Sequence, residues 1–236
     1  MTSTAVDDAA ARAGEDRRII LMIGAPGAGK GTQAERLAAA LDVPHVSTGQ
    51  LFREAVRLAG ALGSRVRSYV EKGALVPDDV VIEVVDQRLQ EDDAAEGVIL
   101  DGFPRTCEQA TALDELLERS GAAVRAALYV EVGPDELLRR LTGRRICSAD
   151  DQHVYHVVSR PPRREGICDI DGAKLQQRND DKPETVQSRL DGQLPPMYEV
   201  IDHYSDAGVL FPVRGDQSAD EVTRELLQAL ASSRSS

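Results

Sequence analysis

From Arg18 onward, short apolar runs alternate with longer stretches in which apolar residues recur at helical spacing. Five runs have strand length: Ile19–Ile23, Pro44–Ser47, Gly97–Leu100, Ala126–Glu131 and Val209–Val213. Helical periodicity covers about 30–41, 49–60, 63–73, 78–91, 106–120 and 134–142, then 183–206 and 219–232 after a break. Alternation of this kind predicts an α/β fold, a parallel sheet wrapped by helices on both faces. Pro134 and Pro183 mark two helix starts, because the first turn has no use for the N–H that proline lacks. Between Gly143 and Gln177 the helical signal stops. Val154–Val158, the pair Pro161-Pro162, Gly166 and Gly172 describe a β-rich insertion instead. Modules of fewer than roughly 40 residues rarely bury enough core to stand alone, so a metal, a disulfide or a polar network is expected to hold this one. Residues 1–17 are alanine-rich, acidic and aperiodic, and are expected to form a disordered tail outside the core.

Composition narrows the function classes. The 236 residues fit one main domain with an insertion. Lys and Arg number 28 against 40 Asp and Glu, a formal charge of −12, which argues against a general nucleic-acid binder with its basic footprint. No run reaches the roughly 18 to 20 apolar residues of a membrane span, and the start of the chain lacks a secretory signal pattern. A cytoplasmic monomer is the expectation. Three cysteines, Cys107, Cys147 and Cys168, are too few and odd in number for a disulfide framework.

The most informative segment is Gly24-Ala25-Pro26-Gly27-Ala28-Gly29-Lys30-Gly31-Thr32, a G-x-x-x-x-G-K-[ST] loop whose last position slides by one. Strand before it and helix after it give the setting in which backbone N–H groups and a helix N-terminus cradle phosphate while the lysine reaches the outer phosphates. A second signal is the apolar strand Val98-Ile99-Leu100 ending in Asp101, the placement that phosphate-loop proteins use to order Mg²⁺ through water. Arginines recur at 53, 105, 140, 144, 178 and 189, and in so acidic a chain such a set suggests a clamp for a polyphosphate.

Together with Ser47–Arg53, Leu100–Thr106 (LDGFPRT), Gly143-Arg144-Arg145, Arg178–Asp181 and Arg189, the loop GAPGAGKGTQ resembles the adenylate kinases of the long-lid bacterial type, members of the nucleoside monophosphate kinases. The similarity runs from Arg18 to the last helix. It implies a phosphate-loop core with a five-stranded parallel sheet (18–46, 77–143, 178–236), a nucleoside-monophosphate arm (47–76) and a lid (144–177). It implies reversible transfer of a phosphoryl group from MgATP to AMP, giving two ADP. By resemblance, Gly27, Ala28, Gly29, Lys30, Gly31, Thr32, Arg140, Arg144 and Gln217 hold ATP. Thr48, Arg53, Ala74, Val76, Gly102, Arg105, Gln109, Arg178 and Arg189 hold AMP, with Gln109 toward the adenine edge. Lys30, Arg105, Arg144, Arg178 and Arg189 are the catalytic set. Asp101 orders the Mg²⁺ waters, and Asp180 and Asp181 order either Mg²⁺ or the arginines.

The insertion carries Cys147-x-x-Asp150 and Cys168-x-x-Asp171, which resemble two zinc knuckles with a carboxylate in each second position. Structural Zn²⁺ on Cys147, Asp150, Cys168 and Asp171 is one expectation, with Asp151 an alternative to Asp150 and His153 and His156 nearby. A polar network without metal is the other. Departures from the family pattern are Gln50, where aspartate is common, the stretch Gly192–Pro196 together with Glu199, and a lid one residue longer than usual between Asp150 and Cys168. A kinase for UMP or CMP, a GTP-using relative, and a nucleotide-binding regulator without turnover are the competing readings. The long lid argues against the first and Gln109 favours adenine.

Overall fold

The computed structural model describes residues 17–58, 60–150 and 152–233. Five strands form the main sheet: β1 (Arg18–Ile23), β2 (His45–Ser47), β3 (Gly97–Asp101), β4 (Val124–Glu131) and β8 (Leu210–Arg214). Their order is β2-β3-β1-β4-β8 and every pairing is parallel. Parallel sheets are covered on both faces, which is why β1 and β3 read as unbroken apolar runs: Ile19 to Ile23 and Gly97 to Asp101 are all buried.

Helices α1 (Lys30–Leu41), α2 (Thr48–Leu58), α3 (Ala61–Lys72), α4 (Asp78–Leu89), α5 (Cys107–Arg119), α6 (Pro134–Gly143), α7 (Pro183–Asp206) and α8 (Ala219–Ser232) complete the core and the arm. Each corresponds to a predicted stretch, with ends that agree or move by at most two residues. The helix α7 continues through Pro195 and Pro196.

The register of the sheet positions the chemistry. Met22 pairs with Asp101 and Ser47 pairs with Asp101 from the other side. The carboxylate at the end of β3 therefore emerges beside the loop that begins at Gly24 and beside the start of α2.

A second, antiparallel sheet of order β6-β5-β7 is formed by β5 (Arg144–Cys147), β6 (Val154–His156) and β7 (Leu175–Gln176). Its buried apolar content is only Cys147, Tyr155 and Cys168, with Ala173 and Leu175 against them. So small a cluster bears out the need for another stabilising device.

The expected tail, 1–17, lies outside the described residues except for its last member. Arg17 donates to Leu89 O at 2.6 Å and to Ala94 O at 3.0 Å, which ties this residue to the end of α4 and the turn before β3. The alternative lid ligand Asp151 also lies outside the described residues.

Candidate active site

The loop between β1 and α1 is built on glycine conformations. Gly27 and Gly29 have φ of 85° and 98°, and a side chain on Gly27 would press on Leu141. Gly29 precedes α1, so the helix N-terminus faces the loop. Lys30 folds back over it, donating to Gly24 O at 2.8 Å and Ala25 O at 2.9 Å. Burial lowers its ammonium pKa to about 8; Asp101 opposes that and Arg105, Arg189 and Arg144 reinforce it. This is a cationic centre short of negative charge.

Asp101 is buried beside Lys30, with His45 Nε2 3.5 Å from its Oδ2. Burial would raise the carboxyl, but His45 and the Lys30 charge more than reverse this, and its pKa lies below the usual range. Among the described residues His45 Nε2 has no hydrogen-bond partner.

Two adjoining cavities meet at this point. One, of about 550 Å³, is lined by Thr48, Arg53, Ala74, Val76, Gly102, Arg105, Gln109, Arg178 and Arg189, among others. The other, of about 470 Å³, is lined by Gly24, Pro26 and Lys30 and shares Gly102, Arg105, Arg189 and Gln193 with the first. Every residue assigned to the AMP set thus faces one chamber. Lys30 faces the other, across a wall made of two arginines.

Gly102, with φ of 78°, holds that wall: its carbonyl accepts from Thr48 Oγ1 at 2.8 Å and Arg105 Nε at 2.7 Å. Burial lowers Arg105 to about 10, and Arg189 beside it adds to the effect. Arg105 Nη1 donates to Gln193 Oε1 at 3.3 Å, and Gln193 Nε2 donates to Gly73 O at 2.5 Å.

The remaining arginines converge on two buried carboxylates. Arg144 binds Asp181 through two hydrogen bonds, and Arg178 binds Asp180 in the same way at 3.1 and 2.9 Å. Arg189 Nη1 lies 2.8 Å from Asp180 and 3.1 Å from Asp181, while its buried Nε has no partner among the described residues. Burial lowers Arg178 to about 9, with Arg144 and Arg53 adding to the shift. In Arg144, Asp181 outweighs burial and the pKa is raised. Of the two roles left open for Asp180 and Asp181, the structure shows them holding arginines.

Arg140 and Gln217 line neither cavity. Arg140 donates to Ala28 O at 3.3 Å and Gly215 O at 2.8 Å, bridging the outer flank of the phosphate loop to the turn after β8. Gln217, in that turn, donates to Glu225.

In the small sheet, one donor atom each from Cys147, His153, Cys168 and Asp171 lie within 4.8 Å of one another. Asp150 is not in this group. Its Oδ1 accepts from Gln152 N at 2.9 Å and its Oδ2 stands 3.7 Å from His153 Nε2, behind the histidine. The expected set and this group share Cys147, Cys168 and Asp171 and differ in one member, with His153, just before β6, standing where Asp150 was expected. Two sulfurs, an imidazole and a carboxylate form a donor set suited to Zn²⁺.

Sequence reasoning missed the arrangement of Asp78 around Gln109 and that of Gln193 around Gly73, because both are contacts between distant segments. Gln193 had stood out only as a departure in its helix.

Comparison with known proteins agrees with this geometry. The family model for adenylate kinase matches residues 22–209. An adenylate kinase of Staphylococcus aureus (strain Mu50) is 45% identical over 211 residues, covering 89% of this chain and 98% of that protein. An adenylate kinase of Streptomyces coelicolor is 46% identical over 211 residues, 89% of this chain and 97% of its own length. The chain, with its phosphate loop and arginine-walled double cavity, belongs to the adenylate kinase family.

Proposed function

We propose that the protein transfers a phosphoryl group reversibly from MgATP to AMP, giving two ADP, with the Lys30 chamber taking the ATP phosphates and the Gln109 chamber taking AMP. One observation carries this: two cavities abut across Arg105 and Arg189, so the phosphates of a nucleotide in one lie next to those of a nucleotide in the other. The AMP phosphate is already a nucleophile, so alignment and charge neutralisation are the tasks of the site and no strong general base is required. Lys30 accompanies the moving group, and Arg105, Arg144, Arg178 and Arg189 neutralise the charge that spreads over its oxygens. Asp101 orders the waters of the Mg²⁺ that enters with ATP. Arg140 and Gln217 flank the adenine end of ATP.

Residues 47–76 act as the nucleoside-monophosphate arm and residues 144–177 as a lid. The lid keeps water from accepting the phosphoryl group. Cys147, His153, Cys168 and Asp171 would hold a Zn²⁺ there, which would cross-link the small sheet without taking part in transfer. We place this activity in the reducing cytoplasm, for which three cysteines without a disulfide among the described residues are suited.

The test is ADP formation from ATP and AMP, followed by a coupled assay, with Lys30→Met as control. Turnover with AMP that exceeds turnover with UMP, CMP or GMP supports the proposal. ATP hydrolysis that does not depend on AMP, or equal use of a pyrimidine monophosphate, overturns it.

A further inference from the structure

Gln109 is held from both ends of its amide. Oε1 accepts from the backbone N–H of Arg105 at 2.8 Å, and Nε2 donates to Asp78 Oδ1 at 2.6 Å. Asp78 is itself fixed: its Oδ2 accepts from Thr106 Oγ1 at 3.0 Å, and that hydroxyl accepts from Gln109 N at 3.2 Å to cap α5. Asp78 opens α4 and stands 31 residues from Gln109 in sequence, so the contact ties the segment after the arm to the helix after LDGFPRT.

The polarity of these partners matters more than their number. A primary amide turns end for end freely where its neighbours both donate and accept. A backbone N–H only donates and a carboxylate only accepts. Turned over, Gln109 would set nitrogen against the Arg105 N–H and oxygen against the Asp78 carboxylate. Its orientation is therefore fixed by chemistry. The oxygen keeps one lone pair and the nitrogen one proton for a ligand. Gln109 is 1% exposed and lines the same cavity as Ala74, Leu75 and Val76, so a ligand group placed against it is desolvated.

The purine bases that fit such a space differ in polarity at one edge. A 6-amino purine offers a donor at its 6-position and an acceptor at N1; a 6-oxo purine offers the reverse. We propose that Asp78 determines specificity by locking the Gln109 amide, committing the monophosphate chamber to 6-amino purines and excluding 6-oxo purines of the same size. It rests on the proposed function, with Gln109 facing the base of the bound AMP. Asp78 does not touch the nucleotide; it acts through Gln109. A 6-oxo base would leave buried polar groups facing like against like, a mismatch that typically costs roughly ten- to a hundredfold in binding. In an Asp78→Asn variant the new amide can present either its oxygen or its nitrogen, so one of the two locks is released while the Arg105 N–H remains.

The experiment compares kcat/KM for AMP and for inosine monophosphate, the 6-oxo analogue, at saturating ATP. It uses the full-length wild type, Asp78→Asn, Asp78→Ser and Gln109→Leu. The AMP to inosine monophosphate ratio, taken within one preparation, is independent of the fraction of folded enzyme, and Asp78→Ser serves if the asparagine variant does not fold. The expected result is a ratio about tenfold lower in Asp78→Asn, mainly through a lower KM for inosine monophosphate, and a collapsed ratio in Gln109→Leu. A ratio unchanged within about twofold in both Asp78 variants, with Gln109→Leu collapsed, overturns the role of Asp78 alone. A ratio unchanged in Gln109→Leu shows that Gln109 does not face the base and overturns the inference with that premise.

Discussion

Arg144 grips Asp181 with both arms of its guanidinium, Nε to Oδ2 at 2.7 Å and Nη2 to Oδ1 at 2.6 Å, and the Asp181 side chain has no exposed surface. Arg144 opens the small sheet, whereas Asp181 sits in the short 3₁₀ turn Asn179–Asp181 that leads back to α7. One ion pair thus closes the insertion at its two crossing points and fixes Arg144 near Arg178. Asp180 does the same for Arg178 and Arg189. Cations gathered for a polyphosphate would repel one another without it, and the two carboxylates hold them in place.

Asp181→Asn should therefore destabilise the nucleotide-free protein by about 3 kcal/mol, the usual penalty for breaking one side of a buried pair. In a chain of this length that corresponds to a Tm lower by roughly 6 to 12 °C. Excess ADP with Mg²⁺ supplies negative charge to the same arginines, so the loss should shrink when it is bound. Thermal unfolding with and without ADP measures both; a deficit that grows on binding ADP would contradict the role assigned to Asp181.

Lys30 makes the free enzyme sensitive to pH. Its pKa, about 8 when folded, lies below that of an unfolded lysine, so the unfolded chain binds more protons between those values. The destabilising contribution of buried Lys30 is therefore present in full below about pH 8 and is relieved as pH rises through the folded pKa toward the unfolded one. Bound phosphate favours the charged lysine, so ATP binding between about pH 8 and 9 should take up a proton. Calorimetric titration in two buffers of different ionisation enthalpy reads that uptake. The apparent enthalpy should become independent of buffer in Lys30→Met; uptake that persists there would assign the proton elsewhere.

Gln193→Leu should raise KM for AMP about tenfold and leave KM for ATP within twofold, because the lost bonds go to Gly73 O and Arg105 on the AMP side. Gly73 immediately precedes the Ala74–Val76 wall of that chamber. Initial rates with each nucleotide varied in turn separate the two constants; equal changes in both would make Gln193 a general packing residue.

What was legible in the sequence followed from local chemistry. Ile19–Ile23 and Val98–Leu100 announced buried parallel strands because both faces of such a sheet are covered. The loop at Gly24–Thr32 announced phosphate because its glycines, lysine and helix stand within ten residues of one another. Asp78 was silent because an aspartate in the first turn of a helix is ordinary, and only the fold brings it to Gln109. Asp150 and His153 part for a related reason. Spacing from Cys147 suits a knuckle, but the side chain turns to the nearby Gln152 N–H, and the next inward-facing donor is His153.

Metal content gives the sharpest contrast between those two ligand sets. Cys147 Sγ lies 3.1 Å from both Asp171 oxygens, His153 Nδ1 lies 3.0 Å from Asp171 Oδ2, and Cys168 Sγ lies 3.6 Å from His153 Nδ1. Tetrahedral zinc, with bonds of about 2.0 to 2.3 Å, spaces its ligands by roughly 3.3 to 3.8 Å, close to the separations already present. Backbone N–H groups of Ala149 and Ala173 point at Cys147 Sγ and Asp171 Oδ1; the Ala173 contact helps hold the carboxyl well below its usual range, whereas burial outweighs the Ala149 contact and pushes the Cys147 thiol up. Protein purified without added zinc should contain one equivalent, and Cys147→Ser or His153→Ala should lose it. Asp150→Ala should keep the metal with affinity about tenfold weaker, since its carboxylate only orients the ring behind the ligand atom. Chelation should lower Tm in the wild type and have no effect on Cys147→Ser. Metal retained by His153→Ala but lost by Asp150→Ala would restore the spacing-based set, and absence of stoichiometric metal from the wild type would leave the lid held by the hydrogen bonds of the same four side chains.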